Sequence, residues 1–201
     1  TMKRKIRYAI SGAVIVFLEF VYAHISKCNP IYDTDVDSNR YNNILIYNVE
    51  SVKQKFVSKE DVLDAVKIKS RVTGDVSDIT IKFSLRDLKK DEEIAKGEVK
   101  GKDFKVSKFT EFKFERIEDC RGKEYEISLV SIGQNGNGTV DFCYENSVEE
   151  KTAMYVDDKP KRGTLILKTV TNRFDWETFF VLMIFIIYII GFMKFLYKLF
   201  K

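Results

Sequence analysis

Histidine is almost missing from this chain: 201 residues hold one, His24, beside one tryptophan, two prolines and three cysteines. With a single histidine, a Ser-His-Asp triad in the middle of the chain is excluded, and so is a histidine-rich metal centre. Two prolines and ten glycines argue against a long disordered linker. The cysteines, Cys28, Cys120 and Cys143, are too few and odd in number for a disulfide framework. Cys120 and Cys143 either pair outside a cytoplasm or stay as free thiols, and the sequence leaves both readings open. No glycine-rich phosphate loop follows a strand, and no repeat of fixed period is present. A basic stripe is missing too. The formal charge is +4, yet positions 28–173 carry 26 Lys and Arg against 27 Asp and Glu, a net of −1. Nucleic-acid binding needs concentrated positive charge in the folded part, so that class is set aside.

What is present is an apolar segment near each end. Residues 179–193 (FFVLMIFIIYIIGFM) run without a charge. Extended back through Trp176 to Phe174, the stretch reaches the roughly 20 residues needed to cross a hydrocarbon core. Residues 8–25 (YAISGAVIVFLEFVYAHI) are apolar except for Glu19 and His24. Lys3, Arg4, Lys5 and Arg7 precede the first segment, and Lys194, Lys198 and Lys201 follow the second. The excess of positive charge therefore predicts cytoplasmic tails (1–7 and 194–201), spans at 8–25 and 174–193, and residues 28–173 outside. A signal peptide has a similar basic start. However, Lys27 stands before Cys28 where a lipoprotein cut needs a small residue, which favours an uncleaved anchor.

Between the spans the pattern has period two. Alternating apolar residues mark strands at 64–72, 79–85, 124–131 and 138–144, with Leu165 and Leu167 on a last one. Weaker candidates lie at 44–48, 52–57, 94–100 and 110–114. Turn residues separate them, as in Thr73-Gly74-Asp75, Arg121-Gly122-Lys123 and the run 134–138. Ser58-Lys59-Glu60-Asp61 reads as the start of one short helical turn. The expected architecture is an all-β extracytoplasmic sandwich over 44–171, reached by a linker at 26–43 and flanked by two transmembrane α-helices.

Few side chains stand out as sites, and none forms a catalytic constellation. Asp33-Thr34-Asp35-Val36-Asp37-Ser38 resembles half of an EF-hand loop. Ser38 stands where that loop needs glycine, and Ile44 where it needs a carboxylate, so an EF-hand is excluded. An irregular Ca²⁺ site and a solvated acidic linker remain as readings; no other cofactor is expected. Glu19 lies about two-thirds of the way through the first span, where a carboxylate is costly unless paired, hydrated or protonated. It either contacts another protein in the bilayer or snorkels to the outer headgroups. Tyr32, Tyr41, Tyr47 and Tyr155 fall outside the alternating core pattern and are the candidate sugar-stacking rings.

Residues 112–129 (FKFERIEDCRGKEYEISL) resemble a pattern, F-x-F-x-x-I-x-D-S-x-G-K-x-Y-x-[FIL]-x-[LI], of extracytoplasmic β-sandwich domains in bacterial membrane proteins. Those domains accompany glycosyltransferases and surface-polysaccharide assembly. Residues 52–56, 63–68 and 79–85 are similar to the same domain's opening strands. Within the pattern, Asp119 and Gly122 suit a tight turn over Phe114, Ile117 and Tyr125. Cys120 replaces the usual serine, and no transferase domain is present.

The resemblance implies a jelly-roll-like module and a setting in the bacterial plasma membrane. The function expected is that of a non-enzymatic accessory protein of surface-polysaccharide synthesis or export. Its partners would be the lipid bilayer, carbohydrate, and a glycosyltransferase or polysaccharide transporter. The alternative is a structural or regulatory subunit of an unrelated membrane complex.

Overall fold

The computed structural model describes residues 2–45, 51–133 and 137–200. They form two compact units: Cys28–Thr171, and a second unit made of the two chain ends through Lys27 and from Asn172.

The larger unit is a sandwich of two antiparallel sheets. The strands are β1 (His24–Pro30), β2 (Asn42–Leu45), β3 (Val52–Val57), β4 (Leu63–Gly74), β5 (Thr80–Asp87), β6 (Glu92–Lys100), β7 (Lys108–Ile117), β8 (Glu124–Ile132), β9 (Gly138–Glu145), β10 (Ala153–Val156), β11 (Lys159–Lys161), β12 (Thr164–Leu165) and β13 (Leu167–Phe174). The first sheet has the order β1-β13-β4-β9-β12, with β2 also on β9 and β7 also on β4. The second has the order β11-β10-β3-β8-β5-β6.

Alternation explains which faces are buried. In β4, Val66 and Ile68 are buried while Lys67 and Lys69 are half-exposed; β3 alternates throughout from Val52 to Val57. The inner faces meet around Phe56, Phe112, Phe142 and Tyr125, all nearly inaccessible. Phe112 contacts the rings of Phe83, Phe104 and Phe142 at centroid distances of 5.4–6.2 Å. Truncating such a ring to alanine costs about 3–5 kcal/mol. Gly97, opposite Phe83, leaves room for that ring: a Cβ there would lie 2.7 Å from it. Gln54 is fully buried and satisfied, because its amide donates to the Lys55 and Ala153 carbonyls and its oxygen accepts from the Leu165 amide. It thereby ties the two sheets together.

The 112–129 segment folds as strand, turn, strand. Asp119 (φ 55°) and Gly122 (φ 74°) both take the left-handed region. The turn packs on 58–61: the Gly122 amide donates to the Ser58 carbonyl, the Cys120 amide to the Asp61 carbonyl, and the Arg121 guanidinium grips the Asp61 carboxylate at 3.0 Å twice. Those contacts explain why 58–61, expected as a helical turn, is an irregular loop; its backbone groups are used by the neighbouring turn. Cys28, Cys120 and Cys143 form no disulfide, and the last two are buried.

Residues 26–43, expected as a linker, are part of the sandwich's first sheet and its outer covering. Strand β1 occupies 24–30, a 3₁₀ turn spans Ser38–Arg40, and β2 begins at Asn42. The short strands β10 and β11 escaped the sequence reading because Lys159-Pro160-Lys161 has no apolar alternation.

The second unit holds two helices, α1 (Met2–Tyr22) and α2 (Trp176–Leu199). Of these α2 is long and apolar enough to cross a membrane; in α1 the apolar part is shorter, Ile10–Tyr22. Asp175 caps α2, accepting from the Thr178 amide, and its own amide donates to the Ala23 carbonyl at 2.8 Å. The end of α1 and the start of α2 are thus joined. Phe20, His24, Phe174, Trp176, Phe179 and Phe180 form one chain of ring contacts around that junction.

Candidate functional site

Strand β9 places Asp141, Cys143 and Glu145 on the outer face of the first sheet, because Val140 and Phe142 turn inward. Across the ladder, Arg71 of β4 faces Asp141. All three β9 side chains are nonetheless buried, and residues 31–41 pass beside Glu145. That segment starts with the Ile31 amide on the Leu167 carbonyl. It then touches β9, where the Asp33 amide donates to Glu145 Oε1 at 2.8 Å. Two aspartate turns shape it: Asp33 Oδ1 accepts from the Asp35 amide and Asp37 Oδ1 from the Asn39 amide, each at 2.9 Å.

The crossing brings three rings together. Tyr32 meets Tyr41 edge to face, with centroids 6.3 Å apart, and stacks on Phe109 of β7 at 6.5 Å and 25°. Lys69 Nζ lies 5.0 Å above Tyr41, and Lys168 Nζ lies 4.4 Å from the Phe109 centroid. The middle ring, Tyr32, and the end ring, Phe109, each open on a hollow. Tyr32 lines one of about 400 Å³ with Lys59, Glu149, Glu150, Lys151 and Thr152. Phe109 lines one of about 690 Å³ between β6 and β7, with Glu98, Lys108, Glu111 and Lys113. Apolar ring surface beside paired carboxylate, ammonium and hydroxyl groups suits a ligand with apolar faces and many hydroxyls.

Burial sets the electrostatics. It raises the pKa of Asp141, which a hydrogen bond from Thr139 and the charge of Arg71 partly offset. It raises the Cys143 thiol as well, whose Sγ donates to Asn43 Oδ1 at 3.3 Å. Glu145 is raised by burial and by Glu149 and Asp33, against the lowering effect of the Asp33 amide. The Tyr32 phenol rises through burial and the charge of Glu145.

Of the four tyrosines expected to stack on sugars, Tyr32 and Tyr41 come together. Tyr155 lies on the second sheet, with Lys55 Nζ 5.1 Å over its ring. Tyr47 lies outside the described residues. Phe109 was missed, although parity could have found it: Thr110 and Phe112 turn inward, so its ring turns out. Glu19 is buried, 4 % exposed, one turn before Ala23, and its Oε2 has no hydrogen-bond partner among the described residues. Asp119 and Gly122 shape the turn between β7 and β8 and lie apart from the ring row. Among the described residues no three His, Cys, Asp or Glu side chains form a metal-holding group.

No family model matches this chain, and no curated protein sequence matches it. Solved structures with some likeness include the clostridial cysteine protease Cwp84, at 13% identity and TM-score 0.46 over 73% of this chain. This chain spans 40% of that protein's length. Another is TmCBM61 in complex with β-1,4-galactotriose, at 10% identity and TM-score 0.28, covering 65% of this chain and 88% of that one. A third is the glycosylation-associated protein complex of Streptococcus agalactiae, at 14% identity and TM-score 0.25, covering 65% and 44%.

Proposed function

We propose that this chain is a non-enzymatic, membrane-anchored accessory protein of bacterial surface-polysaccharide synthesis or export, whose sandwich contacts glycan. The observation that carries the reading is the row Tyr41–Tyr32–Phe109, with one polar hollow beside Tyr32 and another beside Phe109. Pyranose faces stack on such rings, and the charged groups of the hollows bond the hydroxyls. Two hollows joined by a row of rings suit several linked sugars better than one.

Anchoring is supported by α2, whose 24 residues span about 36 Å at the α-helical rise. The junction of α1 and α2 is ringed by aromatic side chains of the kind that favour a membrane–water interface. In this reading both helices cross, both termini are cytoplasmic, and the sandwich lies outside. A glycosyltransferase or transporter that displaces the packing over Glu19 would supply the donor that its Oε2 lacks among the described residues.

The test is a glycan array probed with the full chain in mild detergent, using wild type and Tyr32→Ala. Binding to a polysaccharide that Tyr32→Ala loses supports the proposal; no binding to any glycan overturns it in favour of a purely structural subunit.

A further inference from the structure

The outer face of β4 is cationic at three successive positions. Lys67, Lys69 and Arg71 alternate with the buried Val66, Ile68 and Ser70, and Lys168 stands beside Lys67 on β13. The acids of that face are already engaged. Glu111 is shared between Lys67 at 3.8 Å and Lys113 at 3.4 Å, and Asp141 lies across the ladder from Arg71. Glu145 is buried, with Oε1 on the Asp33 amide. Lys69 and Lys168 make no ion pair among the described residues.

Each of the two lies instead against a ring of the aromatic row. Lys69 Nζ is 5.0 Å over Tyr41, and Lys168 Nζ is 4.4 Å from the Phe109 centroid. Both side chains are half-exposed. A ring face attracts an ammonium group without neutralising its charge. Two positive charges are thereby held at the row, on flexible stems that reach a group lying beside the rings. In the hollow beside Phe109, Lys105 and Lys108 add two cations against Asp103, since Glu98 pairs with Lys100 and Glu111 with Lys113. Residues 28–173 as a whole carry 26 Lys and Arg against 27 Asp and Glu, so the excess of positive charge is local to this face.

We propose that the glycan face takes an acidic polysaccharide, whose carboxylate or phosphate substituents meet the ammonium groups of Lys69 and Lys168 while its sugars lie along Tyr41, Tyr32 and Phe109. The inference rests on the glycan-contacting reading and adds the chemical class of the glycan. Hydrogen bonds from an ammonium to an anionic oxygen are shorter and stronger than those to a neutral hydroxyl. A neutral glycan would leave both charges uncompensated, whereas an acidic one pairs them at the point where the rings hold its backbone.

The full chain in mild detergent is titrated calorimetrically with polygalacturonate, poly(glycerol phosphate) and a neutral galactan of matched length, and with duplex DNA. At least one acidic polymer should bind about tenfold or more tighter than the galactan. That gap should close at about 0.5 M salt, where the charges are screened. Tighter binding of polygalacturonate assigns the anion as carboxylate, and tighter binding of poly(glycerol phosphate) assigns it as phosphate; either supports the inference. Lys69→Gln combined with Lys168→Gln should remove the preference, and Lys69→Arg combined with Lys168→Arg, which keeps both charges, should retain it. The salt dependence of the wild type tests the charge whether or not a variant folds. Galactan bound as tightly as both acidic polymers overturns the acidic class and leaves glycan contact standing. Binding to none of the three glycans overturns the glycan reading itself. DNA bound as tightly as the acidic polymers, or a preference kept by the double glutamine variant, overturns recognition by Lys69 and Lys168.

Discussion

Tyr32 and Phe109 stack with their planes 25° apart, although one precedes β2 and the other lies on β7. The contact exists because residues 31–41 cross the outer face of the first sheet, where Phe109 is turned outward. It makes one continuous aromatic surface from two unrelated stretches of sequence. The proposed glycan face depends on that crossing.

Gly122→Val should destabilise the sandwich by about 1–3 kcal/mol, because a β-branched residue is forced to a left-handed backbone. At φ 74° a Cβ would meet nothing within 4 Å, so the cost is conformational and not a clash. Gly122→Asn, which tolerates that region, should lose much less. Thermal melting of the full chain compares the two; equal melting temperatures would mean that backbone strain is not the cause.

Asp141 and Glu145 should each contribute stability in acid. Asp141 and Glu145 have native pKa values raised by burial, so the folded state binds more protons than the unfolded chain across that window. Their contribution is present below the ordinary carboxylate range and is lost as pH rises through the native values. Denaturant titrations of wild type and Glu145→Gln should therefore differ in slope across that window, the variant losing the part due to Glu145. A slope that is identical in the two chains contradicts the assignment to Glu145.

Cys28 is exposed and outside any disulfide, while Cys120 and Cys143 are buried, so the wild type carries its own topology reporter. A membrane-impermeant maleimide should label Cys28 on intact cells. In a Cys28→Ser background it should label Lys159→Cys and spare Lys198→Cys. Labelling of Lys198→Cys from outside would overturn the two-span arrangement.

Glu19→Leu should weaken recovery of the membrane partner while leaving insertion and the sandwich intact. A lost polar contact in a bilayer costs about 0.6–2 kcal/mol. The burial of Glu19 gives the experiment a second outcome. If the partner is recovered undiminished at matched membrane levels, the side chain only packs within its own unit.

Much of the fold was legible because the sandwich's strands obey a simple rule. Runs such as 80–87 and 124–132 alternate, so sequence alone marks both strand and buried face. The turn at Asp119 and Gly122 was legible for the same reason: left-handed positions demand particular residues. The site was legible only in part. Tyr32 and Tyr41 stood out by failing to alternate, but nothing local says that 31–41 lies across β4 and β9. Its polar composition reads as solvated linker, and long-range contacts such as the Ile31 amide on Leu167, the Asp33 amide on Glu145 and Tyr32 on Phe109 reveal the packing. Glu145 itself sits in phase with Asp141 and Cys143 on the outer face of β9, so periodicity could not mark it as buried.

The glycan-contacting face is the central claim, and affinity for a polysaccharide recognised on the array is its most direct measure. Isothermal titration of the full chain in detergent should give saturable binding. Replacing both Tyr32 and Phe109 by alanine should weaken it about tenfold or more, a loss of roughly 1.4 kcal/mol. Tyr155→Ala, on the other sheet, should bind as wild type does. Undiminished binding by the double variant, or equal loss in Tyr155→Ala, would contradict the claim that the crossing segment and β7 form the glycan face.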